Sequence, residues 1–305
     1  MDRAVHIVVH IVVAASLPPL LFGVIGKTKA AFAGRVGAPY LQLYYDLGKL
    51  FRKGSVFSTT TTWVFRAGPV VGLATALLAG LLLPFGSHPA PVSFEGDLIL
   101  FAYLFGLGRF FTVAAALDTG SAFEGMGGAR EVTFSCLAEP ALFFGLLVLA
   151  RSSGSLSLSA MLGSGLAGQW PNAGASLVLV IFSLFIVLLA ENSRIPFDDP
   201  NTHLELTMIH EVMVLDHGGP AFGMILYGAA MKLFVLGALI VRIALPYHGD
   251  SVGLGWSIFI GGMIGLAVLI GIVESVMARL RLVQVPSLLV AACLLSAFGI
   301  VLLAR

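Results

Sequence analysis

Charge is what this chain has least of. Only 11% of its 305 residues are Asp, Glu, Lys or Arg, and 58% are hydrophobic; soluble domains carry about a quarter charged residues, so a soluble globular domain is excluded. The net charge of +1 gives no electrostatic pull toward nucleic acid. Cysteine is equally sparse. Cys136 and Cys293 each sit inside an apolar run. An iron–sulfur cluster usually takes four thiolates, so this chain builds none by itself. A disulfide framework is excluded as well, and both thiols read as small buried hydrophobes. Alternating polar and apolar strand patterns are missing, which excludes a β-barrel.

Long apolar runs are there instead. A bilayer core of about 30 Å needs about 20 apolar residues per helix. That ruler finds eight spans, at roughly 4–25, 63–84, 97–117, 133–150, 174–190, 221–245, 254–275 and 284–304. The expected fold is an all-α integral membrane protein, one polytopic domain over 1–305. The first run has no small-residue cleavage site and reads as a retained helix kinked by Pro18–Pro19. "GGMIG" at 261–265 offers Gly261 and Gly265 for close helix packing.

The few charges are unevenly spread. Lys27, Lys29, Arg35, Lys49, Arg52, Lys53, Arg130, Arg194, Arg279 and Arg281 fall on the side of the odd-numbered connections; Arg3, Arg151, Arg242 and Arg305 fall on the other. The positive-inside rule puts the odd connections (26–62, 118–132, 191–220 and 276–283) in the cytoplasm and both termini outside. Arg109 and Lys232 lie within spans. The opposite connections are Gly/Ser/Pro-rich and carry little chemistry.

Three cytoplasmic segments stand out. "GRVGAPYLQLYYDLGKLFRKG" (34–54) sets apolar and charged residues at helical spacing, as in an amphipathic helix at the lipid interface or under a partner, with Asp46 and Lys49 able to pair. "DTGSAFEGMGGAREVTF" (118–134) is a Gly-rich loop lacking the Lys-Ser/Thr ending of a phosphate loop. Glu131 beside Arg130 reads as a cap or pair at the following helix start. Glu139, before Pro140, sits at membrane depth, where an ionisable group marks function. The third segment is "ENSRIPFDDPNTHLELTMIHEVMVLDHGG" (191–219), which up to His217 holds six of the sixteen carboxylates and three of the seven histidines. Pro196 and Pro200 break the preceding helix, and Asn201–Thr202 caps an acidic helix running to about His217. His203 and His210 lack the HExxH order of a zinc protease, so no metal site is expected. His6 and His10, four apart, share a helix face.

"AENSRIPFDDP" (190–200), "ELTMIHE" (205–211), the Gln42–Asp46–Lys49–Leu50 spacing and the Glu139–Pro140 pair together resemble one family. It is the membrane subunit beneath the peripheral arm of respiratory complex I, with its homologues in group 4 [NiFe] hydrogenases and formate hydrogenlyase. The 118–134 and 202–219 stretches look like the hydrogenase branch. The resemblance implies eight helices in the prokaryotic cytoplasmic (inner) membrane, no cofactor on this chain, and [NiFe] and iron–sulfur clusters in partners. Those partners would be the peripheral large and small hydrogenase subunits, an iron–sulfur subunit and antiporter-like membrane subunits. On that basis Arg35, Gln42, Asp46, Lys49, Asp118, Arg130, Glu131, Arg194, Asp198 and Asp199 are expected to dock the arm or shape the cavity mouth. Glu139, Glu205, Glu211, His210 and Glu191 are expected to form an ion relay. Such a chain is not a catalyst alone. The alternatives are a quinone-site subunit of a complex I-like enzyme and an independent ion transporter; against the second stands the lack of visible repeats.

Overall fold

The computed structural model describes residues 3–86, 88–163, 165–198, 208–247 and 251–304. Among the described residues eight helices are long and apolar enough to cross a membrane: α1 (Arg3–Phe32), α3 (Trp63–Leu82), α4 (Asp97–Asp118), α5 (Ala122–Ser153), α7 (Gly165–Glu191), α8 (Gly219–Ala244), α9 (Val252–Val276) and α10 (Val285–Leu303). Two short helices join them, α2 (Gln42–Leu50) and α6 (Leu158–Met161). Eight alternating crossings put the 33–62, 119–121, 192–218 and 277–284 connections at one end of the bundle, called here the charged end.

Helix α8 is the hub. It packs on α1, α3, α7 and α9, while α10 packs on α5 and α7, and α3 on α4. Its burial follows from its sequence, apolar almost all round between Gly228 and Ile243. Phe85, Phe234 and Phe259 close the core at the opposite end, with Phe85 edge-on to Phe234 at 5.0 Å and stacked on Phe259 at 5.2 Å. Small residues bring backbones together, as membrane helices require. A Cβ on Gly271 of α9 would stand 2.7 Å from Thr28 Cβ of α1.

Several elements differ from expectation. Gly261 and Gly265 meet nothing within 4 Å; Gly262 is the close-packed one, where a Cβ would come 2.7 Å from Val241 Cγ1. The spans predicted at 133–150 and 174–190 extend to 122–153 and 165–191. The Gly-rich loop expected over 119–131 is therefore helical from Ala122 onward; Gly127 lies under the 208–217 segment, close to Ile209 O and Met213, and Gly128 against Val113 of α4. The acidic helix expected over 201–217 falls partly outside the described residues. Its described part is a bend followed by a single 3-10 turn, Glu211–Val214, with its own short backbone bonds (Met213 N–H to His210 O and His217 N–H to Val214 O, both 3.1 Å) and side chains from α5 holding it. Cys136 is exposed on α5; Cys293 is half-buried, its thiol donating to Leu137 O at 3.0 Å. His10 does not join His6: it is buried, 3.0 Å from Gly80 O and stacked on Phe85, while the His6 ring lies tilted against His88.

Candidate ion-relay site

Arg109 is the centre of the site. It lies nine residues before the charged end of α4, roughly 13 Å inside by helical rise. A guanidinium carries five donors in a fixed fork, which lets one side chain satisfy several carboxylates at once. Its Nε stands 3.2 Å from Glu131 Oε1, its Nη1 meets Glu139 Oε1, and its Nη2 stands 2.5 Å from Glu191 Oε1. The three acids come from two helices, Glu131 and Glu139 from α5 and Glu191 from the last residue of α7. Lys232 of α8 closes on the other oxygen of Glu191 at 2.6 Å. His210 Nε2 stands 3.0 Å from Glu131 Oε2.

Burial makes these pairs matter. The side chains of Arg109, Glu131 and Glu191 are only 7–8% exposed, where an unpaired charge is costly. Two fixed cations face three carboxylates, so an imidazolium at His210 brings the cluster to neutrality. Burial alone would push His210 down from 6.5, but the Glu131 carboxylate holds its pKa above that value. Glu139 is the exception: its side chain is 48% exposed, on the outer surface of α5.

The cluster opens into a cavity of about 550 Å³ reached by α1, α3, α4 and α8. Arg109, Glu131, Glu191, His210 and Lys232 form its polar wall; Phe22, Leu73, Phe222 and Ile225 line the rest. Glu211 lines it too. His217, at the mouth, packs its ring on Phe65 at 4.0 Å, and burial lowers its pKa to about 4.

A second network frames the mouth. Arg194 Nη1 stands 3.3 Å and Lys29 Nζ 2.7 Å from the two oxygens of Glu274 in α9, and the Arg194 guanidinium lies over the Phe22 ring at 4.2 Å. Asp198 takes Arg279 at 3.0 Å and accepts the backbone N–H groups of Ile209 (3.0 Å) and His210 (3.2 Å). Asp198 thus fixes the start of the segment that carries His210.

The structure sorts the expected residues. Glu191 and Glu139 meet at Arg109, His210 reaches the cluster through Glu131, and Arg194 and Asp198 line the same cavity. Glu131 neither caps a helix nor pairs with Arg130; it points inward, to Arg109 and His210. Arg130 donates to Met208 O at 2.8 Å. Asp118 caps α3: it accepts Thr62 N–H at 2.6 Å and Phe65 N–H at 3.3 Å. Gln42 donates to Asp46 at 2.9 Å and Lys49 lies 3.9 Å from it, all on α2 at the surface; Arg35 is exposed in the preceding turn. Asp199 and Glu205 lie outside the described residues. Sequence reasoning missed Arg109 and Lys232 as site residues. The signal that would have found them is their depth, because a cation inside an apolar span needs a buried anion.

Eight apolar helices closed round a buried cluster of alternating charge that opens at one end define a multi-pass, all-α membrane protein. The chain belongs to the NADH dehydrogenase family, whose pattern matches residues 5–305. It is 34% identical to hydrogenase-4 component C of Escherichia coli (strain K12) over 236 residues, 77% of this chain and 73% of that one. It is 30% identical to formate hydrogenlyase subunit 4 of the same organism over 285 residues, 91% of each chain. An NADH-quinone oxidoreductase subunit of Syntrophotalea carbinolica (strain DSM 2380 / NBRC 103641 / GraBd1) is 28% identical over 275 residues, 85% of this chain and 80% of that one. The fold matches a chain of the membrane-bound sulfane sulfur reductase, an archaeal respiratory membrane complex, with a TM-score of 0.82 at 21% identity over 98% of both chains.

Proposed function

We propose that this chain is the membrane anchor and energy-coupling subunit of a group 4 [NiFe]-hydrogenase or formate hydrogenlyase-type complex in the prokaryotic inner membrane. The observation that carries the reading is the Arg109 hub, which joins Glu131, Glu139 and Glu191 at membrane depth and is linked by His210 to the charged end. The likeness to hydrogenase-4 component C and formate hydrogenlyase subunit 4 supports the branch.

In this reading α2 and the 192–218 connection seat a peripheral arm that holds the [NiFe] centre and iron–sulfur clusters in its own subunits. The charged end then faces the cytoplasm. A negative charge arriving above the mouth favours a proton on the His210–Glu131 pair. Neutralising Glu131 frees part of the Arg109 fork, which then binds Glu139 and Glu191 more tightly. Glu139, exposed on α5, passes the change sideways to an antiporter-like neighbour that moves H⁺ or Na⁺. Glu211, on the cavity wall, adds a carboxylate beside His210. The test is the intact complex in proteoliposomes. Glu191→Gln and Glu139→Gln variants assemble and turn over hydrogen with an artificial dye, but lose coupled ion transport. Normal pumping by both would end the relay reading.

A second reading rests on the cavity. Its volume of about 550 Å³, its apolar wall and its polar end at His210 suit a quinone headgroup and the start of its tail, and an NADH-quinone oxidoreductase subunit is among the relatives. Quinone extracted in stoichiometric amount from the purified complex would favour it.

A further inference from the structure

The connection carrying His210 lies along the first turns of α5 in the antiparallel sense. Glu124 Oε1 accepts Asp216 N–H at 3.2 Å, Arg130 Nη1 donates to Met208 O at 2.8 Å, and Glu131 meets His210 at 3.0 Å. Between them lies Gly127. A Cβ there would stand 2.8 Å from the carbonyl oxygen of Ile209 and 3.0 Å from Met213 Cγ. Positions 124, 127 and 131 are spaced by three and four, so they share one face of a 3.6-residue helix. Glu124 is 1% exposed, so its carboxylate is buried while the Asp216 end of the bond reaches the surface. The polar contacts bracket His210, at Met208 on one side and Asp216 on the other, and the glycine lets backbone rest on backbone in the middle.

We propose that Glu124, Gly127 and Arg130 are positioning residues that set the His210 imidazole against Glu131 and so connect the charged end to the Arg109 cluster. The inference rests on the relay reading above. It gives the Gly-rich stretch "FEGMGGARE" a purpose other than arm docking: it is a cradle for a segment of its own chain. Asp198 holds the same segment from the opposite side, through the Ile209 and His210 N–H groups. Around His210 the ionisable groups are Glu131 from α5, Lys232 from α8 and Asp198 from the 192–198 turn, with Arg109 of α4 and Glu191 of α7 behind Glu131. Glu131 meets the ring at 3.0 Å, so withdrawing the ring from it moves His210 back toward its ordinary titration.

The experiment is the pH profile of coupled proton uptake by the intact complex in proteoliposomes, beside dye-linked hydrogen turnover. Glu124→Ala and Gly127→Ala should cut coupled uptake roughly tenfold and move its alkaline limb about one pH unit toward acid, with dye-linked turnover retained. Glu124→Gln keeps an acceptor for the Asp216 N–H and should restore the native profile. If Gly127→Ala does not assemble, the Glu124→Ala and Glu124→Gln pair decides. A native profile in assembled Glu124→Ala, where His210→Asn alters it, overturns the positioning role and leaves the relay standing. A native profile in His210→Asn overturns the relay and the positioning role with it.

Discussion

Lys232 and Glu191 meet at 2.6 Å where the end of α7 passes the middle of α8. Arg109 holds the other oxygen of the same carboxylate, so Glu191 sits between two cations from two helices. Removing one partner of a buried ion pair typically costs about 3–5 kcal/mol. Lys232→Met should therefore lower the thermal midpoint of the purified complex by several degrees. The Lys232→Met/Glu191→Gln double variant should recover part of the loss, because the buried carboxylate oxygen that loses Lys232 is no longer charged. A double variant no more stable than the sum of the singles would mean that the two residues do not act on each other.

Arg109→Lys tests geometry against charge. Lysine keeps the positive charge but offers a point donor in place of a fork. It can satisfy one of the three carboxylates at hydrogen-bond distance and leaves the others to water or protons. Coupled ion transport should fall at least about tenfold while the complex still assembles; Arg109→Lys with native transport would show that the fork is dispensable. The loss corresponds to about 1.4 kcal/mol at the coupled step.

Two histidines at the charged end give opposite pH signatures. His210 has its pKa raised by Glu131, so the stability from that pair is fully present below 6.5 and fades as pH climbs through the raised value. His217 is buried neutral, with a pKa near 4, so its contribution is present above 6.5 and declines as pH falls toward 4. Thermal midpoints measured between pH 4 and 9 should show a maximum that loses its alkaline side in His210→Asn and its acid side in His217→Phe. Unchanged shoulders in both variants would refute the assignment.

The eight crossings are legible in sequence because a bilayer demands a run of apolar residues, and no tertiary information is needed to see one. Glu139 and Glu191 are legible for the complementary reason, that a carboxylate beside such a run is out of place. Their shared partner is harder to see. Arg109 lies 82 residues from Glu191 and 30 from Glu139, and which helix faces bring them together depends on how α4, α5 and α7 pack. The 118–134 stretch misleads for a local reason. Glycine lowers helix propensity by about 1 kcal/mol each, so four glycines read as a loop; here three of them lie in α5, where the 208–217 connection packs on Gly127 and bonds Glu124, Arg130 and Glu131 on either side of it. Asp118 likewise reads as a surface charge until Thr62, more than fifty residues earlier, is brought under it.

That contact between Asp118 and α3 supplies the last test. Asp118 accepts the Thr62 N–H at 2.6 Å and the Phe65 N–H at 3.3 Å, two of the donors that a helix start leaves without partners, while the Thr62 hydroxyl accepts Val64 N–H at 3.2 Å. The carboxylate also lies where the N-terminal end of the helix dipole favours negative charge. Asp118→Ala should destabilise by about 1 kcal/mol, the usual loss for a helix cap, and Asp118→Asn by less, since its amide oxygen still accepts. Both should leave arm attachment intact, measured as co-purification of the peripheral subunits at native stoichiometry. Detachment of the arm in an otherwise stable Asp118→Asn variant would instead return this residue to the docking surface.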